Sequence, residues 1–462
     1  MMRIRANPHR RPARRRRWAA GLALAAGLGA ADATAQTVPF GKNKVQYTDF
    51  DWHVLSGPHV DVYYYPDEET LARLALAYAE ESFDSLTVLF RHRPSERVPL
   101  ILYSSHQHFE QTNVTPGFIP EGVAGFTEFL KRRIALPFNG NTSDFRHTIR
   151  HELVHFFQLS KLTQVYGQYG RRVPPLPLWW TEGLAERWSS PQTVEDEMYV
   201  SDLVLSGRLP GLRRLAYARG FLVYPLGGEI HRYLSERFGY DRVAQLYDEL
   251  WKYSDFESAL EGVYGIEIRQ LERELEYELQ RRYFPMLADR VPVDVRARAV
   301  ARRGGLNFKP VPYRTPDGEW AVLFMSPRTG YTNIYSVRLE AGDASLREVV
   351  KGERSAEFES LHFFQSRLDV HDGRRLAFVS KYLERDALFI WDLERGQVVG
   401  RYQFPELVAL SSPAWSPDGR WIVFEGLTAA GWSDLYRLDF RTQSLERLTH
   451  DVYHDADPDV AP

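Results

Sequence analysis

The stretch Thr148-Ile149-Arg150-His151-Glu152-Leu153-Val154-His155-Phe156-Phe157-Gln158 contains the pattern His-Glu-x-x-His. On a helix, residues four apart lie one above the other on the same face. His151 and His155 can therefore aim two imidazoles at one ion. Glu152, beside the first of them, can bring its carboxylate to a water held by that ion. Two neutral nitrogen ligands with a general base suit metal-assisted hydrolysis of a peptide bond. The apolar positions Ile149, Leu153, Val154, Phe156 and Phe157 would hold the helix in a core.

A catalytic zinc takes three protein ligands and keeps one position for water. The chain has no cysteine, so the third ligand must be His, Asp or Glu. Six residues past His155 stands Lys161, so a third histidine at that spacing is absent. The best candidate is Glu182, in Trp179-Trp180-Thr181-Glu182-Gly183-Leu184-Ala185-Glu186. Glu186 lies one helical turn later on the same face. It could accept the free N–H of a ligating histidine and fix its tautomer.

Several elements must position these residues. Trp52 to Leu55 and His59 to Tyr65 read as a strand pair around Ser56-Gly57-Pro58. Asp67 to Phe90 carries helical periodicity through Leu71, Leu74, Ala75, Tyr78, Phe83, Leu86 and Leu89. Val98 to Tyr103 reads as a buried strand, and His106 to Gln111 as a helical turn. Gly122 to Phe126 and Arg133 to Phe138 read as strands just before the metal helix. Pro137 places the second at an edge or ends it. An edge strand beside the metal could take an extended peptide by backbone hydrogen bonds. Ser143-Asp144 is expected to cap the metal helix, and Lys161 to Leu178 to form a long loop. Leu178 to Trp188 reads as a short second helix. Asp202 to Leu250 is expected to be mostly helical, and Ile266 to Tyr283 is an amphipathic helix that closes the region.

After a Pro/Arg-rich connector the pattern changes to strands with a weak repeat. Pro316-Asp317-Gly318, His371-Asp372-Gly373 and Pro417-Asp418-Gly419 each precede an apolar strand. A second strand follows each about fifteen residues on, at Asn333 to Val337, Ala387 to Trp391 and Asp434 to Leu438. Hairpins recurring every 45–55 residues, roughly, suggest propeller blades. Pro458 to Pro462 can be laid on Pro413 to Pro417, as if a fourth blade were opening. Three blades do not close a propeller, so the sequence is expected to be part of a longer polypeptide.

At 462 residues the chain should hold two or more domains. Its first residues read as a processing segment. Arg10-Arg11 and Arg14 to Arg17 are basic, Trp18 to Ala31 is a short apolar stretch, and Ala33-Thr34-Ala35 fits a cleavage site. Without residues 1–35 the chain carries 50 basic and 60 acidic side chains, about −10 in net charge, which argues against a nucleic-acid partner.

His-Glu-Leu-Val-His followed by Trp-x-Glu-Gly-x-Ala-Glu resembles the gluzincin clan of metallopeptidases, and within it the bacterial peptidase MA-like families more than thermolysin. This resemblance spans about Val45 to Phe284. Residues 305–462 resemble the Asp-Gly repeats of TolB-type propellers. Together they imply an α+β zincin-like metallopeptidase domain followed by an all-β propeller, incomplete at about three blades. The expected division is a signal peptide at 1–35, the peptidase-like domain at 36–290, a linker at 291–304 and the partial propeller at 305–462. The implied cofactor is Zn2+, bound by His151, His155 and Glu182. Glu152 would deprotonate the zinc-bound water and later protonate the leaving amine, with Glu186 supporting the ligands from behind. Many members of the clan add a Tyr or His that hydrogen-bonds the tetrahedral oxyanion, worth about 3 kcal/mol in the transition state. Tyr224 is the nearest candidate here, and His231 a weaker one.

One departure bears on the substrate. Aminopeptidases of this clan carry Gly-x-Met-Glu-Asn on the substrate edge strand, where the Glu grips the free amine. Gly122-Val123-Ala124-Gly125-Phe126-Thr127 lacks that Glu, although Glu121 and Glu128 are near. An endopeptidase is therefore expected, exported to the bacterial periplasm or outer membrane and acting on protein or peptide substrates. The propeller would bind a substrate or an envelope protein. The competing reading is a non-catalytic envelope scaffold that uses the propeller, with the zincin-like domain structural.

Overall fold

A five-stranded mixed sheet and a long helix hold the His-Glu-x-x-His stretch. They are seen in a computed structural model that describes residues 49–461, apart from 116–118, 120–121, 171–172, 219, 289–290, 292, 303–304, 354–356 and 384. The expected signal peptide, 1–35, lies outside the described residues. Strands β1 (His53–Ser56), β2 (Val60–Tyr64), β3 (Val98–Tyr103), β4 (Phe126–Thr127) and β5 (Ile134–Pro137) lie in the order β1-β2-β3-β5-β4. The central three are parallel, and β1 and β4 are antiparallel edges. Pro137 ends a central strand; the edge of the sheet beside the His-Glu-x-x-His helix is the two-residue β4.

Alternation decides what the sheet buries. Val60, Val62, Val98, Leu100, Leu102, Ile134 and Leu136 join one core with helix α1 (Glu69–Phe90). Leu71, Ala75, Ala79, Phe83, Leu86 and Phe90 of α1 recur at three- and four-residue steps and are all buried. On the other face, Tyr65, Tyr103, Ala135 and Phe109 form a smaller cluster, Phe109 coming from the short helix α2 (His106–Phe109).

The His-Glu-x-x-His helix α3 (Thr142–Tyr169) differs from its expected bounds at both ends. Its cap is Asn141, whose Oδ1 accepts from the backbone N–H of Ser143 and Asp144 at 2.8 and 3.2 Å. It also continues through the polar residues 161–169, expected as loop. Lys161 is buried and pairs with Asp248 at 2.5 Å, and Tyr169 stacks on Trp251 with centroids 4.1 Å apart. Tertiary partners thus keep helical a stretch whose composition alone does not. Next come α4 (Leu178–Ser189), α5 (Val194–Leu205), α6 (Leu212–Leu215), α7 (Val223–Phe238), α8 (Asp241–Glu249), α9 (Phe256–Tyr264) and α10 (Ile268–Tyr283). Among the described residues no helix is long and apolar enough to cross a membrane.

Beyond the one-turn helix α11 (Val293–Arg296) the chain forms three four-stranded antiparallel sheets. They comprise β6 (Phe308–Arg314) to β9 (Arg347–Val350), β10 (Asp369–His371) to β13 (Gln397–Tyr402) and β14 (Ala409–Trp415) to β17 (Ser444–Arg447), each in sequential order. This is the strand order of a propeller blade. Each Asp-Gly pair turns the first strand of its sheet into the second. Two of these glycines also fit against the preceding sheet. A Cβ on Gly373 would strike the Arg314 carbonyl, and one on Gly419 would strike His371 and Arg375.

The two regions pack against one another within one compact unit. Leu427 of the third sheet and Val408, just before its first strand, pack into the core around α3. Gln107 donates to Asp386 at 2.7 Å, and Lys381 meets Glu110 at 2.6 Å, all four buried. The connector is tied down too, Arg298 donating to the Leu339 carbonyl at 2.7 Å.

Candidate metal centre

Helix α3 presents His151, Glu152 and His155 on one face, while Leu153, Val154, Phe156 and Phe157 are fully buried on the others. Burying each of these large apolar side chains contributes about 2 kcal/mol, so the helix has little freedom to rotate. The two imidazole rings stand 4.9 Å apart. Their Nε2 atoms are 3.2 Å apart, and Glu182 Oε2 lies 3.3 Å from His151 Nε2 and 3.1 Å from His155 Nε2. Donors at about 2.0 Å from a tetrahedral metal ion are about 3.3 Å from one another. The three atoms thus outline one face of such a tetrahedron.

Local packing brings Glu182 there. Gln158 accepts from His155 Nδ1 at 3.1 Å and donates to the Thr181 carbonyl at 3.0 Å, which both fixes the His155 ring and ties α4 to α3. Trp179 and Trp180 anchor the start of α4 in the core. Helix α7 then crosses α4 where two glycines meet: a Cβ on Gly183 would collide with the Gly227 backbone, and one on Gly227 with Gly183 and the Trp179 carbonyl. This close crossing explains the Gly in each motif and carries Tyr224 to the site. Gly183→Ala should cost about 1–3 kcal/mol through overpacking, despite alanine's better helix propensity. It should also weaken metal binding by displacing Glu182. Chemical unfolding and a zinc titration check this; wild-type values in both would contradict the crossing.

The electrostatics favour a cation. Burial opposes a charge on His151, yet hydrogen bonds to Glu182 and Glu186 outweigh it and push the imidazole up to about 10. His155 is raised in the same way, against burial, by Glu182. Burial would lift the Glu182 and Glu186 carboxyls, but the facing imidazoles hold both well below the usual range, Glu186 at about 2. Two protonated rings cannot both point N–H groups at one spot 3.2 Å apart without repulsion. A single bound cation with both rings neutral satisfies the same carboxylates.

The remaining expected residues fall as follows. Glu152 accepts from Thr127 Oγ1 at 2.7 Å, so edge strand β4 steadies the carboxylate beside the three donors. Glu186 Oε1 lies 3.3 Å from His151 Nδ1. The Tyr224 ring lies 6.1 Å from that of His151, nearly parallel to it. Burial and the carboxylates of Glu182, Glu152 and Glu186 push its phenol far above the ordinary value, so it keeps its proton. His231 is buried and donates to the Trp180 carbonyl at 2.9 Å, and burial holds it down at about 3; it is a core residue and not an oxyanion donor. Glu128 is held by Arg133 and by the backbone of Leu130 and Lys131 at the β4–β5 turn. Glu121 lies outside the described residues. Sequence reasoning did not find Thr127, Gln158 or His147, although Gln158 and His147 stand three and four residues from the two histidines on the same helix face.

No family profile matches the chain, and no curated protein matches it. Among solved structures, TolB from Acinetobacter baumannii is 24% identical over 32% of this chain and 34% of that one, with a TM-score of 0.25. A protein assigned as TolB from Agrobacterium tumefaciens is 21% identical over 35% and 53%, with a TM-score of 0.28. An uncharacterised protein of Listeria monocytogenes is 14% identical over 33% and 43%, with a TM-score of 0.26. The chain thus spans about a third to a half of these structures, and TM-scores of this size establish no shared overall fold.

Proposed function

We propose that the chain is a zinc-dependent endopeptidase of gluzincin type, exported from the cytoplasm. The observation that carries this reading is the triangle of His151, His155 and Glu182 donors with the Glu152 carboxylate braced beside it. Imidazole nitrogen and carboxylate oxygen without sulfur suit zinc. When bound, the ion would act as a Lewis acid on the scissile carbonyl and raise the acidity of the attacking water.

The chain's own residues do the rest. Glu152 takes a proton on its carboxylate as water attacks, then returns it to the leaving amine. Thr127 holds that carboxylate in reach through its Oγ1. Tyr224, protonated throughout, donates its O–H to the oxygen that becomes negative. Strand β4, outermost in its sheet among the described residues, pairs with an extended peptide. Glu128 is engaged at the turn, so nothing described marks a grip for a terminal amine, and internal bonds are the target. The three blade-like sheets offer a surface for a substrate protein or an envelope partner.

The test is hydrolysis of internally quenched peptides by zinc-loaded protein. Wild type should cleave internal bonds. Tyr224→Phe should lower kcat about 100-fold with little change in KM. A zinc-loaded wild type that leaves every such peptide intact would favour a purely binding role.

A further inference from the structure

Glu186 faces two imidazoles, not one. Its Oε1 lies 3.3 Å from His151 Nδ1, and its Oε2 lies 3.5 Å from Nε2 of His147. His147 stands one helical turn before His151 on α3, with the rings 5.8 Å apart. Its other nitrogen, Nδ1, lies 2.8 Å from the Ser190 hydroxyl, at the end of α4. His147, His151 and Glu186 thus form a second group of three close donors that shares His151 with the first.

The order of donors and acceptors follows from chemistry. A hydroxyl that donates to His147 Nδ1 leaves the His147 proton on Nε2, facing Glu186. A carboxylate held at Oε2 turns Oε1 to His151 Nδ1 and keeps that ring's proton there. The lone pair of His151 Nε2 is then directed at Glu182 and His155, where the first group converges.

We infer that His147 is a positioning residue that acts through Glu186 to fix the tautomer and ring angle of the metal ligand His151. This rests on the zinc reading above. Ser190, just past the end of α4, holds the far side of the His147 ring, so that its Nε2 stays turned to Glu186. Partners behind a ligating histidine typically change metal affinity 10- to 100-fold when removed.

The test is the zinc dissociation constant, by competition with a chromophoric chelator. It uses wild type, His147→Ala, His147→Gln, Glu186→Gln and the double variant His147→Ala/Glu186→Gln. His147→Ala should bind zinc about tenfold more weakly and Glu186→Gln 10- to 100-fold, roughly. The double variant should be no weaker than Glu186→Gln alone, because the first residue works through the second. His147→Gln, whose amide N–H can reach the same carboxylate, should recover most of the loss. Wild-type affinity in His147→Ala, multiplying effects in the double variant, or a Gln variant as weak as the Ala variant would each overturn the proposal. So would a loss of stability in zinc-free His147→Ala, which would make the residue simply structural. If wild type itself binds no zinc, the zinc reading fails; if wild type binds zinc and His147→Ala binds it equally, only the positioning role fails.

Discussion

Glu152→Gln should lower kcat for peptide hydrolysis by at least about 1,000-fold while zinc content and KM stay near wild type. The amide is nearly the same size and keeps an acceptor for Thr127 Oγ1, so the helix and the three donor atoms have no reason to move. What it cannot do is take a proton. General base catalysis alone is worth roughly 100- to 10,000-fold. In the proposed mechanism the same carboxylate serves both the attack and the departure of the amine, so the upper part of that range is expected. Thr127 Oγ1 stands 2.7 Å from the carboxylate of Glu152 and 2.9 Å from its backbone carbonyl, with one proton shared between them. The carboxylate is therefore already oriented before substrate binds, and its loss should appear in kcat and not in KM. A Glu152→Gln protein with full zinc and more than a tenth of wild-type kcat would remove Glu152 from the chemistry.

The second large effect lies at the junction of the two regions. Lys381→Met should destabilise the protein by about 3–5 kcal/mol at neutral pH. Lys381 on β11 (Arg375–Tyr382) meets Glu110 at 2.6 Å, with each side chain only 9% exposed. Burial alone would raise the Glu110 carboxyl, but Lys381 and His106 outweigh it and hold the group below its ordinary value. Removing the lysine leaves a buried carboxylate with His106, 3.6 Å away, and His362 as the neighbours that still favour its charge. In wild type, the lowered Glu110 contributes stability above the unfolded carboxyl value, and this is lost as pH falls through the folded one. In the variant the carboxyl rises, so its burial costs more as pH increases. The gap between the two proteins should therefore widen from pH 4 to pH 7, roughly. Adding Glu110→Gln to Lys381→Met should restore much of the loss, because the one carboxylate then left without the lysine is Glu359, which reaches solvent. Urea unfolding of the three proteins at two pH values measures this. A cost below about 1 kcal/mol, flat with pH, would mean that water reaches the pair.

Residues with local signatures were legible in the sequence. Val98 to Tyr103 has the observed bounds of β3, because alternation and flanking polar residues define a strand without outside help. The strand pairs after the three Asp-Gly turns are found where expected, because turn chemistry fixes a hairpin locally. His151, Glu152, His155 and Glu182 converge in space as their spacing suggested. What was not legible depends on partners far along the chain. Residues 161–169 look like loop until Asp248 and Trp251 are in place. The strand expected over Gly122 to Phe126 is reduced to Phe126–Thr127. The junction of the two regions was invisible for the same reason: Glu110 and Lys381 stand 271 residues apart. Nothing local in the sequence carries Tyr224 toward His151; the contact between Gly183 and Gly227 does so.

The most direct measurement is digestion of a mixed peptide library by the full chain, stripped of metal by a chelator and then restored with one equivalent of zinc. The predicted result is cleavage at internal bonds that vanishes on stripping and returns at one zinc per chain. A protein that holds one zinc through His151, His155 and Glu182 and cleaves no peptide, or that cleaves equally well without metal, would contradict it.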